Sequence, residues 1–118
     1  MNIAQVGIPS RDIARSLEFY RDKMGIRLVL EAPNMAFFEC GGSRLMIGPA
    51  EDREPSTGFT LYFSVDEIHA AAEALAARGV IFDRGPHLVA RMPKHDLWLA
   101  LFRDPDENQL ALMCEVRP

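Results

Sequence analysis

The stretch that decides the fold is DIARSLEFYRDKMG at residues 12–25, which has a counterpart in DEIHAAAEALAARG at residues 66–79. Both run from aspartate to glycine over the same length. Aspartate favours a helix N-cap because its carboxylate accepts backbone N–H bonds, and glycine favours the left-handed position that follows a helix. Apolar residues recur between them at helical spacing: Ile13, Leu17, Tyr20 and Met24, then Ile68, Ala71, Ala72 and Leu75. The sequence therefore predicts two equivalent helices with Asp12 and Asp66 as their N-caps.

Short apolar strands surround both predicted helices in the same order. The strand before each helix alternates, so that Val6 and Ile8 match Leu61 and Phe63 on an apolar face. The predicted later strands are Ile26–Leu30, Met35–Cys40 and Arg44–Ile47 in the first half, and Val80–Phe82, His87–Ala90, Asp96–Phe102 and Gln109–Cys114 in the second. The pattern predicts an α+β fold of two βαβββ modules. We assign residues 1–48 and 58–118 to the modules, and residues 49–57 to a polar linker within one domain of 118 residues.

Composition and net charge argue against several classes of function. The net charge is −4, which argues against nucleic acid or an anionic membrane as a partner. Apolar residues make up 48% of the chain, but no run of them matches a signal peptide or a membrane span. Cys40 and Cys114 lack CxxC spacing and lie in apolar strands, as expected of small core residues in a reduced protein. We predict a cytoplasmic location.

Two motifs resemble the vicinal oxygen chelate superfamily, which includes glyoxalases, bleomycin resistance proteins and extradiol dioxygenases. They are RSLEFY at residues 15–20, followed by Gly25, and FRDPDEN at residues 102–108. The second is similar to the family pattern F-x-D-P-D-G-N, with Glu107 in place of glycine, so a left-handed Glu107 would be strained. The resemblance implies paired half-barrel modules, U-shaped mixed sheets with the helices outside, a cavity between the modules, and a homodimer.

The resemblance also implies four metal-ligand positions, which fall on Gln5, Met46, Thr60 and Ala111. Family chemistry needs oxygen or nitrogen donors there to hold a divalent ion against two substrate oxygens. Gln5 alone offers such a donor, although a weak one. A register error of one residue would bring in only apolar neighbours around the other three positions. We therefore predict no cofactor and no divalent metal.

The remaining candidate residues support a small-molecule site. We predict a ligand cavity lined by Gln5, Phe37, Met46, Thr60, Tyr62, Arg91, Trp98, Ala111 and Met113. The catalytic candidates are Glu39, which shares a strand face with Phe37, and His87 and His95, which belong to an additional segment, residues 84–95, with a possible lid role. The leading hypothesis is a metal-free protein that binds a small, partly apolar molecule. The alternatives are an enzyme of lyase, isomerase or dioxygenase type with a rearranged site, and a partner protein with a vestigial cavity.

Overall fold

The computed structural model describes residues 3–49 and 60–117. Within these residues the chain forms two four-stranded sheets and two helices. The elements are β1 (Gln5–Ser10), α1 (Ile13–Leu17), a π-helical segment (Glu18–Lys23), β2 (Arg27–Ala32), β3 (Met35–Cys40), β4 (Ser43–Pro49), β5 (Leu61–Ser64), α2 (Ile68–Ala77), β6 (Phe82–Arg91), β7 (Asp96–Arg103) and β8 (Gln109–Val116). The predicted α+β fold of two βαβββ modules is confirmed. No helix in the described part of the chain is long and apolar enough to cross a membrane.

Contacts divide the chain into two compact units. The first comprises Met1–Pro55 with Pro105–Glu107, and the second comprises Ser56–Asp104 with Asn108–Pro118. Of the predicted linker, residues 50–57 lie outside the described residues, while Pro49 ends β4.

The sheet of the first unit has the order β1-β4-β3-β2, with β1 parallel to β4. Asp12 is the N-cap of α1, as predicted, and its carboxylate accepts the Arg15 N–H at 3.2 Å. The helix then widens into the π-helical segment, where the Met24 N–H donates to the Phe19 carbonyl at 2.8 Å. Gly25 follows with φ 75°, the left-handed conformation expected of it.

One face of this sheet is apolar and packs on the helix. It carries Ile8, Ala36, Phe38, Leu45 and Ile47, all of which are buried. The Tyr20 ring lies 6.0 Å from the Phe38 ring, centroid to centroid, and Phe19 meets Tyr20 edge-on at 5.0 Å. Because side chains alternate along a strand, the residues between these point to the opposite face, which we call the open face of the first unit.

The sheet of the second unit has the order β5-β8-β7-β6, with β5 parallel to β8. The predicted N-cap Asp66 is wrong by one residue, since Glu67 caps α2. Two bonds to β8 explain the delay: the Val65 N–H donates to the Met113 carbonyl at 2.9 Å, and the Cys114 thiol donates to the Asp66 carbonyl at 3.3 Å. They keep the chain beside the sheet until Asp66.

The predicted separation of Val80–Phe82 from a strand at His87–Ala90 is also wrong. Phe82 and His87–Ala90 belong to the single strand β6, which pairs with β7 along a long hairpin, while Val80 and Ile81 precede it. Its register shifts at three places between Phe82 and Ala90. Such bulges interrupt the alternation of apolar and polar residues, so the sequence pattern reads as two strands. The segment 84–95 is therefore mostly strand rather than a loop-like addition.

Candidate functional site

The open face of the first unit brings two of the family's metal-ligand positions into contact. Gln5 Nε2 donates to Met46 Sδ at 3.6 Å. Met46 lies beside Gly7 across the β1–β4 ladder, and its methyl group is 3.4 Å from where a Cβ at residue 7 would be. The thioether methyl group therefore lies over the Gly7 backbone, at an ordinary van der Waals distance from that position. Phe37 is the partner of Met46 on β3, which extends an apolar floor across the sheet.

Glu39 lies on this same face, in the next row toward the β3–β4 turn. Its carboxylate accepts the Gly42 N–H at 2.9 Å, so it closes the hairpin turn. Its cross-strand partners are Arg27 on β2 and Arg44 on β4. The Arg44 guanidinium carbon lies 5.9 Å from the centroid of the Phe37 ring. Glu39, the proposed base, thus has a structural partner in the turn.

The open face of the second unit, opposite α2, carries most of the remaining predicted lining residues. Tyr62 is 52% exposed and lies beside Ala111, which is fully buried. Ser64 lies beside the half-buried Met113. Thr60 precedes β5 and is half-buried. This face offers a phenol, a thioether and aliphatic surface.

Trp98 does not lie on this open face, contrary to the predicted lining. Its ring meets the His69 ring of α2 edge-on at 5.3 Å between centroids. The cause is the alternation of side chains along a strand. Trp98 points to the same side of β7 as Ala100 and Phe102, both of which are fully buried. Trp98 is a packing residue between sheet and helix.

The two candidate histidines lie at different levels of the β6–β7 hairpin. His87 is paired with Leu99 through the ladder, and its Nδ1 is 2.8 Å from the Gly85 carbonyl. His95 lies in the turn, four residues before Leu99. At roughly 3.4 Å of rise per residue, the backbones at these levels are about 14 Å apart. The hairpin does not bring the two rings together.

His95 instead lines an open cavity of about 410 Å³ at the tip of the hairpin. Its Nε2 is 3.9 Å from Glu115 Oε2. The other lining residues are Met92, Pro93, Lys94 and Arg117. Arg91, the other proposed lid residue, is 75% exposed and pairs with Asp96 at 3.2 Å. The tip is therefore a surface feature with its own ion pairs.

The donor set does not fit a divalent metal. Within residues 3–49 and 60–117, no group of three or more His, Cys, Asp or Glu side chains converges. At the four family positions, Met46 and Ala111 offer no oxygen or nitrogen donor, so only the Gln5 amide oxygen and the Thr60 hydroxyl remain. A hard or borderline divalent ion prefers carboxylate, imidazole or several oxygen ligands, which these residues do not provide.

Sequence reasoning missed Arg44 as a site residue. The signal was available in Gly41-Gly42, between the predicted strands Met35–Cys40 and Arg44–Ile47, because a hairpin turn there puts Arg44 opposite Glu39 and on the same face as Met46. Its contact with Phe37 is diagonal across the strands, which spacing alone does not indicate.

Comparisons with known proteins agree with this architecture. The family model "Glyoxalase/Bleomycin resistance protein/Dioxygenase superfamily" matches residues 2–112, and the chain belongs to this superfamily. Among curated proteins, "Uncharacterized protein YraH" of Bacillus subtilis (strain 168) is 24% identical over 127 residues, which cover 95% of this chain and 97% of that protein.

Solved structures share the fold. A member of the same superfamily from Sphaerobacter thermophilus DSM 20745 has a TM-score of 0.77 at 26% identity, and the match covers 98% of each chain. A lactoylglutathione lyase from Agrobacterium tumefaciens has a TM-score of 0.76 at 20% identity, with 96% of this chain and 92% of that chain covered.

Proposed function

We propose that this protein binds a small, partly apolar molecule on the open faces of its sheets and that it does so without a metal. The observation that carries the proposal is the contact between Gln5 and Met46, with the methionine methyl group over Gly7. A methionine thioether is flexible and polarisable, so it adapts to apolar ligands of varied shape. The same contact puts a thioether, a poor ligand for a hard divalent ion, at the second family ligand position.

The polar groups on the open faces favour binding over catalysis. The Glu39 carboxylate accepts the Gly42 N–H, and His87 Nδ1 is engaged with the Gly85 carbonyl. A general base needs a carboxylate or imidazole directed at a substrate proton. Here these groups hold turns and strands, while exposed Tyr62 and half-buried Met113 offer contact surface.

Binding is tested with 2-naphthamide, a neutral and partly apolar probe, by isothermal titration calorimetry. Met46→Ala tests the open face of the first unit, and Tyr62→Ala tests that of the second. A substitution on the face that binds the probe is expected to weaken the affinity about tenfold, since the lost apolar contact is worth on the order of 1.5 kcal/mol. Ile81→Ala is the matched control, because Ile81 is 85% exposed and precedes β6. Unchanged affinity in both Met46→Ala and Tyr62→Ala would contradict the proposed site.

The absence of a metal is tested separately by elemental analysis of the purified protein and by titration after chelation. Probe affinity is expected to survive treatment with EDTA. Nickel, zinc, iron or manganese at close to one ion per chain would contradict a metal-free site.

We further propose that the protein is a cytoplasmic homodimer. Its ligand is a small molecule, and it binds neither nucleic acid nor a membrane. The free thiols of Cys40 and Cys114 support a reducing compartment. Val29 and Leu30 on β2, an edge strand of its sheet, are 57% and 58% exposed and support association. Light scattering coupled to size-exclusion chromatography should give twice the chain mass of 13.2 kDa. A mass equal to one chain would contradict the dimer.

A further inference from the structure

Two parallel rows of side chains cross the open face of the first unit. One row is apolar and contains Gly7, Met46 and Phe37. The next row, toward the β3–β4 turn, contains Arg44 with Glu39 beside it on β3. Neighbouring strands are about 4.8 Å apart and the rows about 7 Å, so a ligand of one or two rings can touch both rows at once.

Glu39 and Arg44 are cross-strand partners, yet their charged groups turn in opposite directions. The Glu39 carboxylate reaches toward the turn and accepts the Gly42 N–H at 2.9 Å. The Arg44 guanidinium reaches toward the apolar row and lies over Phe37. Arg15, Arg21, Arg91 and Arg103 each pair with an aspartate, and none of the ion pairs found among the described residues includes Arg44. Arg44 therefore brings a positive charge to the edge of the apolar floor.

The Phe37 ring prepares Arg44 to bind an anion. A guanidinium over an aromatic face is held in a limited range of orientations by cation–π attraction and loses part of its hydration. Its N–H groups remain available at the edge of the plane, where they match the two oxygens of a carboxylate. Less conformational freedom is then lost when an anion binds.

We propose that the bound molecule carries a carboxylate, which Arg44 binds with two parallel N–H donors while the apolar body of the molecule lies on Met46 and Phe37. This inference rests on the proposed function, because it assigns the ligand class of the same open face. It makes Arg44 the residue that determines specificity for anionic over neutral ligands.

The test compares 2-naphthoate with 2-naphthamide, which have the same rings and differ in charge. The unsubstituted protein is expected to bind the carboxylate about tenfold more tightly, in line with a charge-assisted pair of hydrogen bonds. Arg44→Met should abolish this preference, because it weakens binding of the carboxylate about tenfold more than binding of the amide. Arg44→Lys keeps the charge without the planar fork and should keep only part of the preference.

Arg27→Met is the matched control, since it removes the same charge from the other side of Glu39. It should leave the preference within about twofold of the unsubstituted protein, because Arg27 lies two strands, about 10 Å, from Arg44, and solvent and salt screen an exposed charge at that distance. Thermal melts of all three variants verify that they are folded.

The outcomes separate the two proposals. Equal affinity for both probes would overturn the carboxylate inference and leave the proposed binding function standing. A carboxylate preference that persists in Arg44→Met, or that disappears equally in Arg27→Met, would also overturn the role of Arg44. Failure of both probes to bind the unsubstituted protein would overturn the proposed function and this inference together.

Discussion

Glu107 is the one described residue other than glycine with a positive φ, at 68°. The turn around it is fixed from both ends by Asp104 and Asn108. The Asp104 carboxylate accepts the Asn108 backbone N–H and its side-chain amide, each at 2.9 Å, and the Asp104 N–H donates to the Asn108 carbonyl at 3.1 Å. These bonds hold the turn in which Glu107 is left-handed, a conformation where a Cβ crowds the following carbonyl. The strain expected from the sequence is thus confirmed.

Glu107→Gly should stabilise the protein, because glycine adopts this conformation without a steric cost. We expect a gain of about 1 kcal/mol, which raises Tm by about 5 °C in a thermal melt followed by circular dichroism. Glu107→Ala is the control: it removes the same charged group but keeps the Cβ and should show no such gain. If alanine and glycine raise Tm equally, the effect belongs to the side chain and backbone strain is not its cause.

At the scale of one helix, the N-terminus of α2 depends on Glu67. Its carboxylate accepts the Ala70 N–H at 2.7 Å and the His69 N–H at 3.2 Å. These bonds, the one from Ala70 first, hold the pKa of the Glu67 carboxyl below its ordinary value. A carboxyl whose pKa is lowered by folding stabilises the native state above its unfolded pKa. That contribution is lost as the pH falls through the lower, folded value.

Glu67→Gln should therefore flatten the dependence of stability on pH in the acid range. Tm of the unsubstituted protein should fall between about pH 5 and pH 3 more steeply than Tm of the variant, while the two differ by a constant amount near pH 7. Glu73→Gln removes an exposed carboxylate from the same helix, outside the cap, and is the control. Parallel melting profiles for Glu67→Gln and the unsubstituted protein would contradict the role of the cap.

A helix boundary could be predicted where it depends on residues close in sequence, and not where it depends on contacts with distant strands. Asp12 and Gly25 bound the first helix as the sequence predicted, because capping depends on residues within a few positions. The π-helical hydrogen bond from Met24 to Phe19 has no such signal in the sequence. The position of the second cap depends on bonds to β8, 48 residues from Asp66, so local pattern put it one residue early.

Over the whole molecule, faces could be predicted but contacts could not. Alternation correctly paired Phe37 and Glu39 on one face of β3, and it put Trp98 on the same side of β7 as Ala100. Which side of β7 meets the helix was the missing information, and it decides that Trp98 packs on α2. The orientation of Arg44 over Phe37 is a tertiary property of the sheet, since it depends on rotamers that neither strand fixes alone.

The first unit includes a remote part of the chain through Asp106, which is only 4% exposed. Its carboxylate accepts the Arg11 backbone N–H at 2.9 Å, the Ser16 hydroxyl at 3.3 Å and a guanidinium N–H of Arg15 at 3.3 Å. The Ser16 hydroxyl is also 2.6 Å from that of Ser10. One carboxylate thus joins the end of β1 to the start of α1. This explains why an aspartate is needed inside the FRDPDEN motif.

Asp106→Asn should destabilise the protein more than its small change in shape suggests. The amide offers one acceptor oxygen where the carboxylate offers two, and its NH₂ group faces the donors of Arg11 and Ser16. We expect a loss of about 2 kcal/mol, chiefly from hydrogen bonds to a buried charge, since Arg15 is 49% exposed and its ion pair is screened. Tm should fall by about 10 °C. Urea unfolding should show a lower midpoint at an unchanged slope, because the exposed surface of the unfolded chain stays the same.

Asp22→Asn is the control for Asp106→Asn, because it makes the same substitution at an exposed carboxylate. Asp22 bonds Arg21 at 2.8 Å, but both side chains are about half exposed. Water replaces an interaction of this kind readily, so Tm should stay the same within error. Water cannot replace the bonds of a buried carboxylate that accepts from a backbone N–H. The difference in Tm between the two variants therefore measures the contribution of burial. Equal effects of the two substitutions would mean that Asp106 contributes only the weak charge pairing of an exposed site, and that Arg11 and Ser16 find other partners when it is gone.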